Sequence, residues 1–141
     1  MARRTFFSFH YEQDVQRSAV VRKSSQFKDS VDAEWIDASL WEETKKNDAA
    51  IRTLIAKALE RTTVTAVLIG SHTASRRWVQ YEIQQSLARG NGLIGIYIHN
   101  IPGFNGQTSS RGANPLPASA RTYDWVHDGG YQNLGRWVDL A

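Results

Sequence analysis

The amino-acid sequence predicts a single α/β domain with a central, mostly parallel five-stranded sheet and helices on both faces. Two runs, TVTAVLIG at 63–70 and LIGIYI at 93–98, are rich in β-branched and apolar residues. Such runs are typical of parallel strands that are covered on both faces. Helical patterns alternate with the strands along the chain, and this alternation favours parallel order. Because 141 residues are a typical domain length, we expect residues 1–141 to form one domain.

The first half of the chain is predicted to contain two strands and two helices. They are, in order, a strand at 4–9, a helix at 12–25, a short strand at 33–38 and a helix at 47–60. The last of these has the clearest pattern, because its apolar residues recur at helical spacing along one face. Those residues are Ile51, Leu54, Ile55, Ala58 and Leu59. Asn47 or Asp48 is predicted to cap this helix.

The second half continues the alternation and is interrupted by one long loop. Its predicted elements are a strand at 63–70, a helix at 75–89, a strand at 93–98, a loop at about 99–121, a strand at 122–126 and a helix at 131–141. Gly90 follows the first of these helices, at a position where glycine often ends a helix. Ser71 or Thr73 is predicted to cap the same helix at its start. The loop is rich in Gly, Pro, Asn and Ser, which favour turns.

Composition and charge exclude several functional classes. The chain has no cysteine, which excludes a disulfide framework and a thiol nucleophile. The formal net charge is +3, but the basic residues are scattered, so we expect a solvated surface and no nucleic-acid partner. No apolar run is long enough for a secretory signal or a membrane span. We therefore predict a cytoplasmic protein without a membrane partner.

Two familiar phosphate-binding patterns are disfavoured by their context. The segment GNGLIG at 90–95 matches a dinucleotide-binding motif, but it leaves a predicted helix and enters a strand. The true motif leaves a strand and opens a helix. A phosphate-accepting receiver domain would need an aspartate after the central strand, where this chain has Gly70, Ser71 and His72. The spacing of the four histidines also gives no metal-binding pattern, so we predict no metal site.

Trp78 and Glu82 form a notable pair on the helix predicted at 75–89. They are four residues apart and therefore neighbours on one helical face. Val79, Ile83 and Leu87 are predicted to form the core stripe of this helix, so the pair flanks the core. On spacing alone, Glu82 is either an ordinary surface glutamate or part of an active site at the edge of the sheet, where α/β proteins bind ligands.

Several blocks of the sequence resemble a TIR domain, most closely the TIR-like proteins of Thoeris anti-phage systems. The resemblance covers roughly residues 3–101 and rests on four blocks. They are RRTFFSFHYEQD, WIDASLWEE, TAVLIGSHTASRRWVQYEI and GNGLIGIYIHNI. The resemblance implies a flavodoxin-like fold. It also implies that the W-x-x-x-E pattern, Trp78 to Glu82 in this sequence, carries a catalytic glutamate.

The resemblance implies an enzyme that cleaves NAD between nicotinamide and ribose and forms a cyclic ADP-ribose isomer. Glu82 would be catalytic. The implied substrate-binding residues are Phe9, His10, Asp37, Glu42, Ser71 and Trp78. NAD is the substrate, so no separate cofactor is expected. The product would act on a separately encoded NAD-depleting effector after a phage-derived trigger, with self-association on activation. The alternative is a non-catalytic TIR scaffold that acts through protein contacts.

Overall fold

A computed structural model describes residues 4–24, 36–37, 47–103 and 105–141. In these ranges the strands are β1 (Thr5–Ser8), β2 (Ile36–Asp37), β3 (Val64–Ile69), β4 (Gly92–Tyr97) and β5 (Arg121–Asp124). In the described ranges the helices are α1 (Tyr11–Arg22), α2 (Asp48–Glu60), α3 (Arg77–Arg89) and α4 (Gly130–Asp139), and a short 3-10 helix spans Thr73–Ser75. These bounds agree with the predicted elements to within a few residues.

The strands form one sheet in the order β2-β1-β3-β4-β5. Every neighbouring pair is parallel, which confirms the predicted α/β class and strand direction. This order is that of flavodoxin-like folds. Strands β1, β3, β4 and β5 have four to six residues each. The outermost strand, β2, has two residues and lies beside β1. Because the sheet is parallel, the carboxyl ends of its strands lie along one edge, called the carboxyl edge below.

The core lies on both faces of the sheet, and helices cover each face. On one face, Phe7 and Phe9 pack in a cluster that includes Val21 of α1 and Trp137 of α4. On the other, Phe6 packs against the apolar stripe of α2. Successive strand residues point to opposite faces, which explains why the aromatic run of β1 is divided between the two clusters. Residues 6 and 8 of β1 therefore face α2 and α3.

Two of the predictions about helix ends are confirmed, and one is wrong. The side chain of Asn47 accepts a hydrogen bond from Ala50 N and caps α2, as predicted. Gly90 ends α3 in the left-handed conformation, with φ of 76°, also as predicted. The predicted cap of α3 by Ser71 or Thr73 is wrong. The residue before α3 is Arg76, which makes no side-chain capping bond, and the Thr73 hydroxyl accepts from Gly70 N instead.

The predicted core stripe of α3 is also partly wrong. Val79 and Ile83 are buried as expected, but Leu87 is 51% exposed. The buried face of α3 instead includes Glu82 and Ser86, each with 0% exposure. This face is stabilised by hydrogen bonds to the sheet as well as by apolar contact, because the Ser86 and Thr65 hydroxyls lie 2.7 Å apart.

The segment that joins β4 to β5, residues 98–120, is called the β4–β5 loop. Its described residues contain no helix or strand. It is fixed at several points: Arg17 of α1 donates to the carbonyl oxygens of Ile101 and Gln107, at 2.7 and 3.1 Å. Leu116 packs into a buried cluster with Ile69 and Ile83. The long loop predicted here is thus held against the carboxyl edge of the sheet.

None of the described helices combines the length and the apolar character needed to cross a membrane. The division of the chain into one domain over residues 1–141 stays a prediction.

Candidate active site

Glu82 lies fully buried on the face of α3 that packs against the sheet. Its exposure is 0%, and its Oε1 atom accepts a hydrogen bond of 2.8 Å from the Ser8 hydroxyl. Ser8 is the last residue of β1 and is equally buried. It points toward α3 because it shares the face of Phe6. The contact joins residues 74 positions apart and brings the glutamate to the carboxyl edge of the sheet.

Burial distinguishes Glu82 from exposed acids of the described residues such as Asp48 and Glu60. Transferring a carboxylate from water into a protein interior costs several kcal/mol unless partners compensate. A hydrogen bond from a hydroxyl to a carboxylate is charge-assisted and offsets part of this cost. A buried glutamate in a helix that otherwise buries Val79 and Ile83 is therefore a candidate for a functional residue.

A second polar contact one turn along α3 holds the helix in register with the sheet. The Ser86 hydroxyl donates to the Glu82 carbonyl oxygen at 2.7 Å and also contacts Thr65 of β3. Thr65 is paired with Phe6 across β1 and β3. Ser8 and Thr65 therefore contact α3 from adjacent strands, and the two contacts fix both the rotation and the height of the helix that carries Glu82.

Trp78 lies one helical turn before Glu82 and is partly buried. It packs against the cluster of Phe6 and the α2 stripe. Its ring makes an edge-to-face contact with Tyr81, with centroids 5.6 Å apart, and the Arg77 guanidinium lies 4.6 Å from its centre. Arg77 also forms an ion pair with Asp48 of α2. These contacts give Trp78 a packing role, and its stacking on a substrate ring stays a prediction.

Phe9 and His10 follow β1 at the carboxyl edge but face different surroundings. Phe9 has 0% exposure and belongs to the core cluster on the α1 and α4 side, the opposite face from Ser8 and Glu82. His10 is the residue before α1, and its carbonyl accepts from Asp14 N at 2.9 Å. His10 is thus at the end of the strand that carries Ser8, whereas the Phe9 side chain contributes to the core. Their roles in substrate binding stay predictions.

Two acidic residues, Asp37 and Glu42, are predicted to bind substrate, and the described residues include one of them. Asp37 is the last residue of β2 and is paired with Phe7, so its backbone lies beside β1. Glu42 lies outside the described residues. The predicted roles of both acids are untested.

Ser71 lies just after β3, at the same edge of the sheet as Ser8. It is partly buried, and its hydroxyl is 2.9 Å from His72 Nδ1. The preceding residue, Gly70, is enclosed. A side-chain Cβ at Gly70 would come within 2.2 Å of an Asp14 carboxylate oxygen. Thr73 completes this contact, because its hydroxyl accepts from Gly70 N at 2.8 Å and donates to Asp14 at 3.3 Å.

Asp14 is a buried acid that sequence analysis did not single out. It is 1% exposed, and its Oδ1 atom has no hydrogen-bond partner among the described residues. Burial raises the pKa of this carboxyl group above its ordinary value, although the Thr73 hydrogen bond and the nearby side chains of Arg17 and His72 oppose the shift. Sequence analysis also missed Ser8. A polar residue between the aromatic residues Phe7 and Phe9 was the available signal for it.

Comparison with known proteins identifies a matching family and a similar protein. Residues 6–102 match the family described as "Thoeris protein ThsB, TIR-like domain". The chain is also 44% identical over 141 residues to a protein of Bacillus cereus (strain MSX-D12) named "Putative cyclic ADP-D-ribose synthase ThsB1". That alignment covers 98% of this chain and 72% of the relative.

Proposed function

Because the chain belongs to the TIR-like domain family of the Thoeris protein ThsB, we propose that it cleaves NAD between nicotinamide and ribose, with Glu82 as the catalytic residue. The observation that carries the proposal is the fully buried Glu82 carboxylate, hydrogen-bonded to Ser8 at the carboxyl edge of the sheet. This is the edge at which open α/β sheets bind ligands. A scaffold that acts only through protein contacts does not need a buried acid there.

The reaction suits a single fixed carboxylate. When the bond between ribose C1′ and the nicotinamide nitrogen breaks, its electron pair leaves with nicotinamide, which becomes neutral and needs no general acid. Positive charge develops on the ribose, as in glycoside hydrolysis. A carboxylate held beside the ring stabilises this charge, and more strongly in a site that excludes water. The Ser8 hydroxyl keeps one oxygen of Glu82 oriented before substrate arrives.

We propose that His10, Asp37, Glu42 and Ser71 contact NAD around this acid. His10 and Ser71 follow the ends of the adjacent strands β1 and β3, and Asp37 ends β2 on the other side of β1. Three neighbouring strands thus contribute residues to one edge. Trp78 would form the wall beside Glu82, since it packs one turn away on α3.

We further propose that the main product is a cyclic ADP-ribose isomer. The name of the Bacillus cereus relative, "Putative cyclic ADP-D-ribose synthase ThsB1", supports this product. In the defence context that the family implies, the product would signal to a separately encoded NAD-depleting effector. A phage-derived trigger and self-association in the cytoplasm would control its formation.

The test is incubation of the pure protein with NAD, followed by mass spectrometry of the products. We expect nicotinamide together with cyclic ADP-ribose. Glu82→Gln keeps the shape of the side chain and removes its charge, so the rate should fall by about 10²–10³ or more. Glu60→Gln is the matched control, because Glu60 is an exposed glutamate at the end of α2 whose carboxylate lies 3.3 Å from the Arg89 guanidinium.

The control variant should cleave NAD at the parental rate. Circular dichroism should give the same spectrum for the parent and both variants, so that a loss of activity reflects chemistry. Parental activity in Glu82→Gln would rule out Glu82 as the catalytic residue.

A further inference from the structure

The turn after β3 is enclosed by three separate parts of the chain. Asp14 of α1 lies against Gly70 on one side, where a Cβ atom would approach to 2.2 Å. Thr73 holds the Gly70 amide at 2.8 Å. The β4–β5 loop covers the remaining side. A Cβ atom at Gly112 would come within 2.0 Å of the Gly70 carbonyl oxygen and 3.0 Å of the Ser71 carbonyl carbon.

The contact between Gly112 and Gly70 depends on the absence of a side chain. A Cβ atom at 2.0 Å from a backbone oxygen overlaps it, and a backbone atom cannot swing aside as the end of a flexible side chain can. Glycine therefore allows the two main chains to touch. No other described glycine of the β4–β5 loop would bring a Cβ atom within 3.0 Å of a neighbour. Among these glycines, Gly112 therefore makes the closest contact.

Other contacts bring the loop to the helix that carries Glu82. Leu116 packs in one buried cluster with Val79 and Ile83 of α3. Arg111 lies over the ring of Tyr97, 4.3 Å from its centre, and Ser109 N donates to the His99 carbonyl at 2.9 Å. The loop thus spans the ends of β3 and β4 and reaches α3. It forms a wall on the β4 side of the candidate active site.

We propose that Gly112 is a specificity-determining position. It allows the β4–β5 loop to pack directly on residues 70–71, and the packed loop keeps water from the ribosyl cation. This inference rests on the proposed NAD cleavage. After nicotinamide leaves with the electron pair of the broken bond, two nucleophiles compete for C1′. An adenosine-side nitrogen or hydroxyl closes the ring, whereas water gives linear ADP-ribose. Each route releases one proton to solvent, so the two differ only in the attacking atom.

A closed wall favours ring closure because a water-poor cleft removes the competing nucleophile. Gly112→Ala adds one methyl group at the contact with Gly70 and displaces the loop from it. Water then gains access, and linear ADP-ribose increases at the expense of the cyclic product. We expect the linear-to-cyclic ratio to rise about tenfold, which corresponds to about 1.4 kcal/mol between the two barriers.

The experiment measures both products by mass spectrometry after incubation with NAD, for the parent, Gly112→Ala and two further variants. Ala113→Ser is the matched control, because it adds one heavy atom at an exposed neighbouring position of the same loop. Arg17→Ala removes the side chain that donates to Ile101 and Gln107. It loosens the loop without adding an atom between Gly112 and Gly70. If Gly112→Ala does not fold, Arg17→Ala shows by itself whether loop packing controls the ratio of products.

A higher linear share in Gly112→Ala and in Arg17→Ala, with Ala113→Ser unchanged, supports the inference. A merely structural role would lower the total rate and leave the ratio of products the same, and that result overturns it. A parent protein that makes only linear ADP-ribose also overturns it, although NAD cleavage then stands. Absence of NAD cleavage in the parent instead contradicts the proposed function itself.

Discussion

The Ser8 hydroxyl donates a 2.8 Å hydrogen bond to Glu82 Oε1, and neither side chain is exposed to solvent. The two residues come from the first strand and from a helix that begins after the central strand. Their contact ties α3 to the end of β1. In the proposed mechanism this carboxylate faces a transient positive charge, which it stabilises best when it is already oriented, and the Ser8 hydrogen bond would provide that orientation.

The first prediction concerns Ser8→Ala. Loss of the hydroxyl leaves Glu82 in place but less firmly oriented, so kcat should fall by up to about 10²-fold, as for a small misplacement of a catalytic group. KM for NAD should change little, because Ser8 acts through Glu82. Steady-state kinetics of nicotinamide release separates the two constants.

Ser86→Ala is the matched control for Ser8→Ala. It also removes a buried hydroxyl between α3 and the sheet, and each variant leaves a former partner with one bond fewer, a cost of about 1–3 kcal/mol in stability. Ser86 contacts the backbone of Glu82 and not its carboxylate. If both variants lose stability equally and only Ser8→Ala loses kcat, Ser8 is a positioning residue. Equal loss of kcat in both would assign the effect to the helix as a whole.

A second prediction separates packing from ligand binding at Trp78. Since the ring packs against Phe6 and the α2 stripe, Trp78→Ala should lower the free energy of unfolding. The loss should be about 2 kcal/mol, below the 3–5 kcal/mol typical of fully buried aromatic residues. Trp78→Phe should recover most of this loss. Thermal melts measure it.

KM for NAD provides the contrasting measurement for Trp78. Packing alone leaves KM of the folded Trp78→Ala protein at the parental value. A KM that rises in Trp78→Ala, and that Trp78→Phe restores, would instead assign the ring to the substrate pocket, as the family resemblance implies.

The sequence was sufficient for the order of the elements and for the identity of the candidate catalytic acid. The α/β alternation depends on local patterns, and the family resemblance identified Glu82 through the local W-x-x-x-E pattern. The partner of Glu82 could not be predicted in this way, because Ser8 is 74 residues away. The contact exists only after β1 and α3 are assembled on the same sheet.

The error at Leu87 has a related cause. At about 100° per residue, positions 79, 82, 83 and 86 fall on one side of α3, and position 87 lies about 90° from their centre. Apolar spacing selected Leu87 because it treats polar residues as exposed. Glu82 and Ser86 are buried instead, since Ser8 and Thr65 on the sheet offer them hydrogen bonds. Burial of polar residues depends on partners that spacing does not reveal.

A third prediction follows from the need of a cyclase to exclude water. Ser8, which binds Glu82, ends β1, and β1 lies next to the outermost strand β2. A second copy bound beside β2 would therefore be well placed to cover the site. The rate per protein molecule should then rise with protein concentration or crowding, and the cyclic share of product should rise with it. Initial rates and product ratios over a dilution series test this. A constant specific activity with a constant product ratio would indicate a self-sufficient monomer.

The last prediction concerns the buried acid that the proposed mechanism does not use. Burial raises the pKa of Asp14 above its ordinary value of 3.8, although the Thr73 hydrogen bond and the charges of Arg17 and His72 oppose the shift. Between 3.8 and the raised pKa, the folded state binds more protons than the unfolded state, so this group lowers stability as the pH rises. Above that window the full cost of the buried charge remains.

Asp14→Asn removes the charge and keeps an oxygen that can accept from Thr73. The variant should therefore melt at a higher temperature than the parent at pH 7, and the difference should shrink as the pH is lowered toward 4. Asp139→Asn, at an exposed position near the end of α4, is the control and should follow the parent at every pH. Thermal melts across this range give the comparison. If Asp14→Asn is less stable than the parent by the same amount at pH 7 and pH 4, the carboxylate serves the fold through its hydrogen bond, and its burial carries no net penalty.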